Sequence, residues 1–336
     1  MALKRLGTQS VKFDIPPSVY AEASIVGKKE GEGPLRGYFD KIESDPYLGQ
    51  STWEKAESEL MLRTVNEALK KGSLSPHQID FIFAGDLLNQ SIGSNYGLRD
   101  MEIPFFGVFG ACSTMAETLS LGAMLIDGGF AEKVICTTSS HFCSAEKQFR
   151  YPLEYSGQRP PTAQWTVTGC GAVILSKEGI APYITHVTVG KIKDLGIKDA
   201  TNMGAAMAPA FVETITSHFK DTNRDPSYYD LILSGDLGSV GKSIAIDLLK
   251  QEGYDISSNY DDCGCMIFDN KTQDTHAGGS GCGCSASVLC AYVIPKMRLG
   301  ELKRVLFIAT GALMSPTSTQ QGESIPSIAH AVALET

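Results

Sequence analysis

The sequence predicts an α/β protein built from two copies of one folding unit. Apolar runs of strand length alternate with helical patterns along the chain, which is typical of parallel or mixed sheets covered by helices. The two halves of the chain also match each other. With 336 residues, 43% of them hydrophobic, the chain can bury an ample core. We therefore expect an N-terminal half over residues 1–180 and a C-terminal half over residues 181–336.

The internal match is strongest around a helix, a turn and a buried strand. Residues 61–87 carry a helical pattern, a turn proline, an apolar run and a final Gly-Asp-Leu, and residues 211–237 repeat this order without a gap. Asp86 and Asp236 therefore occupy equivalent positions. A match of this kind indicates a tandem duplication.

The first half opens with the clearest helix of the chain. Ser51-x-x-Glu54 predicts a capping box that starts a helix running from about Trp53 to Lys71, and Gly72 predicts its end. Nearly continuous apolar runs then predict strands covered on both faces, followed by one closing strand. These strands are expected at residues 79–84, 103–108, 133–138 and 166–176.

The second half predicts the same order of elements. Its strands are expected at residues 230–234, 264–268, 304–309 and 328–334. Strands that alternate with helices favour right-handed crossover connections. Two such units packed back to back would give five layers.

Composition excludes several classes of function. The formal net charge is -9 and there is no long run of lysine or arginine, which argues against a nucleic-acid partner. Nine cysteines, with no secretory segment after Lys4-Arg5, predict reduced thiols in a chain made in the cytoplasm. The longest apolar runs fall well short of the roughly 20 residues that cross a bilayer, so membrane contact would be peripheral.

Cys112 is the first candidate for chemistry. An apolar strand runs into Gly110-Ala111, and the cysteine stands where the next helix would begin. The free N–H groups and positive dipole end of a helix lower a thiol pKa and attract anions. The site would therefore suit a nucleophile or a pocket for a carboxylate. The structural alternative is a small buried thiol, and the equivalent residue of the second half is Cys284.

A duplicated α/β half whose third helix starts at a cysteine resembles the thiolase and ketoacyl-synthase superfamily. The resemblance covers nearly the whole chain. It implies a thiolase-like duplicated five-layer α/β/α/β/α fold. It also implies a homodimer, since members of the superfamily usually form one.

A closer resemblance is carried by longer strings. They are similar to the stage V sporulation protein AD family of endospore-forming bacteria, and they stand at residues 84–90, 109–114, 138–141, 148–152 and 278–282. This resemblance implies a non-catalytic relative that binds dipicolinic acid, pyridine-2,6-dicarboxylate, and helps move it into the forespore. Its expected partners are membrane-embedded stage V channel subunits, and its expected place is the periphery of the spore inner membrane. No cofactor is expected.

The competing function is an acyltransferase or condensing enzyme of the ketoacyl-synthase III type that uses Cys112. Such enzymes pair the cysteine with a histidine and an asparagine or second histidine. Residues 234–240 hold no histidine, and residues 276–282 hold no asparagine, although His276 keeps the alternative open. The second cysteine of true thiolases is missing from residues 310–314. Binding without turnover is favoured, and a structural subunit with a vestigial pocket is a third hypothesis.

Three further residues are candidates for ligand binding, each with a structural alternative. Asp86 ends a strand at the edge where open α/β sheets bind ligands, but it could be a turn-former. An acid beside a dianion would need a proton or a shared cation, and a bound calcium chelate is one solution. His141 could donate to a carboxylate or be a satisfied buried histidine. Arg150 could bind a carboxylate with its guanidinium fork or be solvated.

Four cysteines in two Cys-Gly-Cys pairs could suggest a metal site. Structural zinc usually needs two or more residues between paired ligands, and these pairs have only one. Packing is therefore the favoured interpretation, and no metal is expected. The four residues are Cys263, Cys265, Cys282 and Cys284.

Overall fold

The architecture follows from two sets of strands, one from each half of the chain. We analysed a computed structural model that describes residues 4–150 and 159–336, with the backbone alone at residues 149 and 150. The strands of the first half are β1 (Arg5–Leu6), β2 (Ser10–Lys12), β3 (Ser18–Gly27), β4 (Lys41–Glu43), β5 (Phe81–Gly85), β6 (Phe105–Gly107), β7 (Lys133–Ser140), β8 (Trp165–Thr166) and β9 (Gly169–Ser176). Its helices are α1 (Lys28–Gly31), α2 (Trp53–Lys71), α3 (Ile92–Leu98), α4 (Thr114–Asp127) and α5 (Phe142–Ala145).

The second half repeats this plan. Its strands are β10 (Tyr183–Val189), β11 (Leu231–Ser234), β12 (Tyr260–Asp262), β13 (Gly279–Ser280), β14 (Arg304–Ala312) and β15 (Ser327–Glu335). Its helices are α6 (Met203–Thr222), α7 (Gly238–Gln251), α8 (Cys263–Ile267), α9 (Cys282–Val288), α10 (Ile294–Arg298) and α11 (Pro316–Gln320), and a wider turn at Leu289–Val293 joins α9 to α10. The boundary expected after residue 180 lies in the connection between β9 and β10.

The layers form because the sheet and the helices bury their apolar faces against each other. The main strand order is β12-β11-β14-β15-β10-β3-β9-β7-β5-β6, so each half supplies one arm of the path. Helix α2 packs on the outside of the first arm, and α6 and α7 cover the outside of the second. Helices α4 and α9 lie between the two arms and contact each other. Helix α4 contacts strands of both arms, and α9 contacts strands of the first arm. The result is the five-layer arrangement that the sequence predicts, with the largest apolar core around α4 and α9.

The first long helix confirms its predicted limits but not its predicted cap. Helix α2 spans Trp53–Lys71 and Gly72 is its C-cap, as expected. The N-cap is Thr52, whose side chain accepts the backbone N–H of Lys55 at 3.3 Å. The expected capping box at Ser51 is wrong by one residue, because the chain enters its extended conformation at Thr52.

Two predicted strands also need correction. Strand β6, expected to be covered on both faces, is the exposed edge of its arm, and Phe105 and Phe106 are 36% and 49% exposed. The strand expected at residues 264–268 is wrong, since α8 occupies Cys263–Ile267. The reason is local: the Asp262 side chain accepts the N–H of Cys265 and caps a helix there.

This topology brings the C-terminal ends of one strand from each half close together. Strands β5 and β14 both end beside the start of α4, so the segments after them can share one cavity. No helix in the described part of the chain is long and apolar enough to span a bilayer.

Candidate functional site

Cys112 lies in a tight turn immediately before α4. Ala111 adopts a left-handed conformation (φ 51°), and the backbone N–H of Ser113 donates to the carbonyl of Gly110 at 3.1 Å. The turn packs against β14 so closely that a side-chain carbon at Gly311 would come within 3.3 Å of the Cys112 nitrogen. The predicted position of Cys112 before a helix is therefore confirmed, and the second half forms the facing wall.

The cysteine lines a small, largely apolar cavity. The cavity offers about 40 Å³ to the centres of water molecules, enough for about three of them. Both halves contribute to its wall, which consists of Leu87, Phe109, Ala111, Cys112, Ala145, Thr166, Met203, Ser280, Ala312 and Met314. Among the described residues of this wall, the polar side-chain groups are one thiol and two hydroxyls, so this part of the wall favours a ligand with an apolar body and few polar atoms.

The thiol of Cys112 has a carboxyl partner, Asp236. This fully buried side chain interacts with Cys112 and accepts three hydrogen bonds, from the N–H of Gly281 at 2.9 Å and the hydroxyls of Thr310 and Ser280 at 2.9 and 3.1 Å. Burial raises the pKa of Asp236 to about 6, although these donors favour its ionised form. An ionised carboxyl repels a neighbouring thiolate, so the position of Asp236 opposes the activating effect that a helix start has on a cysteine.

Asp86, the equivalent residue of the first half, does not line this cavity. It is fully buried and accepts from the N–H groups of Leu88 at 2.8 Å and Ser94 at 2.7 Å, and from the Ser94 hydroxyl at 2.6 Å. Its side chain and that of Glu57 both lie against Gly93. Burial raises the pKa of Asp86, and burial together with the Asp86 charge raises that of Glu57 to about 8.

Glu57 is held from its other side by two hydroxyls, those of Ser139 at 3.2 Å and Ser144 at 2.6 Å. The acid pair therefore joins α2, the end of β5, α3 and α5 behind the cavity wall. The structural alternative for Asp86, a turn-former, describes its contacts well, while Asp236 faces the thiol.

His141 is buried and has partners on both ring nitrogens. Its Nδ1 accepts the N–H of Cys143 at 3.2 Å and its Nε2 donates to the carbonyl of Pro46 at 2.8 Å, which is the pattern of a neutral imidazole. Burial lowers the pKa of His141. The ring lines a separate outer pocket of about 350 Å³, together with Phe142 and Trp165, and does not reach the Cys112 cavity wall.

Arg150 ends the helical segment Glu146–Arg150, but its side chain lies outside the described part of the structure. A different arginine is placed near the cavity. Arg159 forms an ion pair with Glu146 at 3.2 Å, and the same Glu146 oxygen accepts the hydroxyl of Thr166, a cavity residue, at 3.1 Å. Sequence reasoning missed Arg159 because nothing in its neighbours distinguishes it from other loop arginines.

The remaining candidates do not line the cavity, although Cys282 packs in one cluster with Cys112. His276 adopts a left-handed conformation (φ 52°), has Asp274 at 3.7 Å and does not line the cavity. Cys282 donates to the carbonyl of Ser139 at 3.0 Å, and Cys284 is fully buried in the central core. Within residues 4–150 and 159–336, no three histidine, cysteine or acidic side chains form a group that could hold a metal ion.

Several solved structures share the fold of this chain. The chain matches 3-oxoacyl-[acyl-carrier-protein] synthase III from Aquifex aeolicus VF5 with a TM-score of 0.56 and 13% identity, over 95% of this chain and 100% of the other. It matches human mitochondrial 3-ketoacyl-CoA thiolase with a TM-score of 0.58 and 13% identity, over 97% and 99%. For Xanthomonas campestris OleA the TM-score is 0.60 and the identity 12%, over 99% of both chains. The thiolase-like fold expected from the sequence is confirmed.

The sequence relationships are more specific. Residues 7–335 match the family described as stage V sporulation protein AD. The stage V sporulation protein AD of Bacillus subtilis (strain 168) is 49% identical over 333 residues, which cover 99% of this chain and 98% of that protein. The chain therefore belongs to the stage V sporulation protein AD family and has a role in sporulation.

Proposed function

We propose that this sporulation protein binds dipicolinic acid in the Cys112 cavity, does not turn it over, and supports its uptake into the developing spore. The observation that carries the proposal is the partner of the thiol. The described residues that line the cavity include no histidine and no asparagine, and the carboxyl of Asp236 interacts with Cys112. Condensing enzymes of the ketoacyl-synthase type use histidine and asparagine side chains beside the cysteine for proton transfer and for stabilising the oxyanion.

The cavity wall suits a flat aromatic ligand with polar groups at its rim. Leu87, Phe109 and Ala145 offer apolar surface to a ring. The hydroxyls of Thr166 and Ser280, which donate to Glu146 and Asp236, would rotate to donate to carboxylate oxygens of the ligand. The space present is smaller than a pyridine dicarboxylate. Two methionines, Met203 and Met314, complete the wall, and their flexible side chains can move aside as the ligand enters.

Charge at the site decides which form of the ligand is bound. An ionised Asp236 would repel a dianion, whereas a protonated one could donate a hydrogen bond to it. With a pKa of about 6, Asp236 carries this proton more often as the pH falls below neutrality. A calcium chelate would instead favour the ionised carboxyl.

An acyltransferase that uses Cys112 remains the alternative. It is favoured by one observation, the position of the thiol beside a cavity at the start of α4. The two functions make opposite predictions for the sulfur: a receptor leaves it unmodified, and a condensing enzyme acylates it.

The experiment measures both outcomes on one preparation. Calorimetry with dipicolinate is expected to give one site per chain in the wild type and a loss of about tenfold in affinity in Cys112→Ala. Cys143→Ala, which removes a thiol from the outer pocket, is the matched control and should bind normally. Mass spectrometry after exposure to acyl-coenzyme A should show no adduct on Cys112. A stable acyl-cysteine together with a condensation product would contradict the proposal.

The proposal includes a homodimer and a peripheral place beside membrane-embedded channel subunits at the spore inner membrane. The exposed edge of β6, with Phe105 and Phe106, supports self-association, because an unpaired strand edge offers N–H and C=O groups to a second copy. Light scattering should give twice the chain mass for the wild type and a smaller mass for Phe105→Lys. An unchanged mass would argue against this edge as the interface.

A further inference from the structure

Arg159, which is linked to the cavity wall through Glu146 and Thr166, is held in a preformed position. The Arg159 guanidinium lies 4.7 Å from the ring centre of Trp165 and 5.0 Å from that of Phe142, and these two rings stack on each other at 4.0 Å. One of its nitrogens donates to the carbonyl of Gln164 at 3.1 Å. Aromatic stacking and a fixed backbone contact fix the plane of a guanidinium and reduce the entropy lost when it binds.

This guanidinium lies within two hydrogen-bond lengths of the cavity wall. One oxygen of the buried Glu146 is 3.2 Å from a terminal nitrogen of Arg159 and also accepts the hydroxyl of Thr166 at 3.1 Å. Thr166 lines the Cys112 cavity, whereas its neighbour Trp165 lines the outer pocket. Arg159 therefore stands where the two spaces approach each other.

Among the contacts with described residues, one N–H group donates to Gln164 and the guanidinium forms one ion pair, with Glu146. The Arg159 side chain is 23% exposed, so it is not closed off from solvent. Glu146 balances the charge of Arg159, which limits the cost of keeping a cation in largely buried surroundings.

We propose that Arg159 is the specificity-determining residue that recognises one carboxylate of the ligand at the Cys112 cavity, with Glu146 as its resident counter-ion. The inference rests on the proposed function. The carboxylate shared by both pyridine ligands would bind at the Cys112 end of the cavity. The ring would extend from there toward Arg159, whose remaining N–H groups would take the second carboxylate of the dicarboxylate. A ligand with a second carboxylate would then gain an interaction that its single-carboxylate analogue cannot make.

The test compares two ligands in three proteins. Pyridine-2,6-dicarboxylate and pyridine-2-carboxylate are titrated into the wild type, Arg159→Gln and Arg99→Gln. Arg99 is the matched control, because it also stacks on an aromatic ring, Tyr96, and pairs with a neighbouring acid, Asp100, away from the cavity. A charge-assisted contact of this kind is expected to change affinity about tenfold to a hundredfold.

The expected result is that Arg159→Gln lowers the affinity for the dicarboxylate by that factor and leaves the affinity for the monocarboxylate within about threefold. Arg159→Lys should recover only part of the loss, since it lacks the planar fork. Arg99→Gln should match the wild type for both ligands. Equal losses for both ligands in Arg159→Gln would assign a structural role to Arg159 and overturn the inference, as would unchanged discrimination.

A second variant keeps the test valid if Arg159→Gln folds poorly. Glu146→Gln removes the counter-ion charge and retains a hydrogen-bond acceptor, so the dicarboxylate should bind about threefold or more tightly than to the wild type. Weaker binding of the dicarboxylate would contradict the inference. Failure of the wild type to bind either pyridine carboxylate would overturn the proposed function itself, which distinguishes that failure from failure of the Arg159 assignment.

Discussion

Asp86 and Asp236 occupy equivalent positions after β5 and β11, yet their surroundings differ. Asp86 turns toward another acid, Glu57, and accepts hydrogen bonds from its own loop. Asp236 reaches across to the thiol of Cys112 and to donors on β14 and around Gly281. A duplicated fold thus supplies two similar carboxyls, and the facing half determines which one belongs to the cavity.

The two equivalent cysteines differ in the same way. Cys112 is 6% exposed and lines the cavity, while Cys284 is fully buried in the central core. The helix start at Cys112 faces the cavity, whereas the equivalent helix start at Cys284 is packed inside the core. The comparison indicates that placement of the site follows from the contact between halves rather than from either half alone.

The largest expected effect is the loss of stability in acid that buried histidines of the second half cause. Burial lowers the pKa of three histidines of the second half from 6.5, to about 4 for His186 and His330 and about 3 for His218. Because the unfolded chain binds these protons first, their stabilising contribution is present above pH 6.5 and is lost as the pH falls toward 4. Each histidine contributes about 1.4 kcal/mol per pH unit to this loss.

Urea unfolding between pH 7 and 4.5 measures this slope. His330→Gln should reduce it, whereas His77→Gln, at an exposed turn position, should leave it unchanged. Buried acids with a raised pKa, such as Asp236, give a slope of the opposite sign over the same range, so the test is the difference between the variant and the wild type. Equal slopes in His330→Gln and the wild type would contradict the buried, neutral state of His330.

The two carboxyls provide a smaller effect. Asp86→Ala and Asp236→Ala each leave three buried donors without their acceptor, so each should lower the free energy of unfolding by about 3 kcal/mol. Only Asp236→Ala should also change ligand affinity. If the two variants were equally stable but Asp86→Ala lost more affinity for the ligand than Asp236→Ala, then Asp86 and not Asp236 would be the residue of the cavity.

Substitutions of the two equivalent cysteines test the same comparison, with smaller expected changes in the free energy of unfolding. Cys284→Ser places a hydroxyl in a dry core and should cost about 2 kcal/mol of unfolding free energy. Cys112→Ser, at a cavity with a hydrogen-bonding carboxyl nearby, should cost less than about 1 kcal/mol. Thermal or urea unfolding of both variants gives the values, and equal losses would contradict the different packing of the two positions.

Much of the fold could be predicted from the sequence, because duplication and apolar periodicity are local signals. The limits of α2 and the position of Cys112 before α4 follow from such signals. The exposure of β6 could not be predicted, because its apolar sequence resembles that of a covered strand. The helix at Cys263–Ile267 was also missed, since one cap at Asp262 outweighs the strand-like composition.

The site was harder to predict than the fold. Asp86 and Asp236 have the same sequence context, so nothing local separates the residue beside the thiol from its equivalent. Arg159 reaches the cavity only through Glu146 and Thr166, a relationship that depends on the folded chain.

The pH dependence of dipicolinate affinity in the wild type, Asp236→Asn and Asp86→Asn tests the central claim most directly. If a protonated Asp236 receives the ligand, wild-type affinity should fall about tenfold per pH unit above pH 6, and Asp236→Asn should bind with little pH dependence. Asp86→Asn should follow the wild type. The same pH dependence in Asp236→Asn and the wild type, or a change confined to Asp86→Asn, would contradict the account.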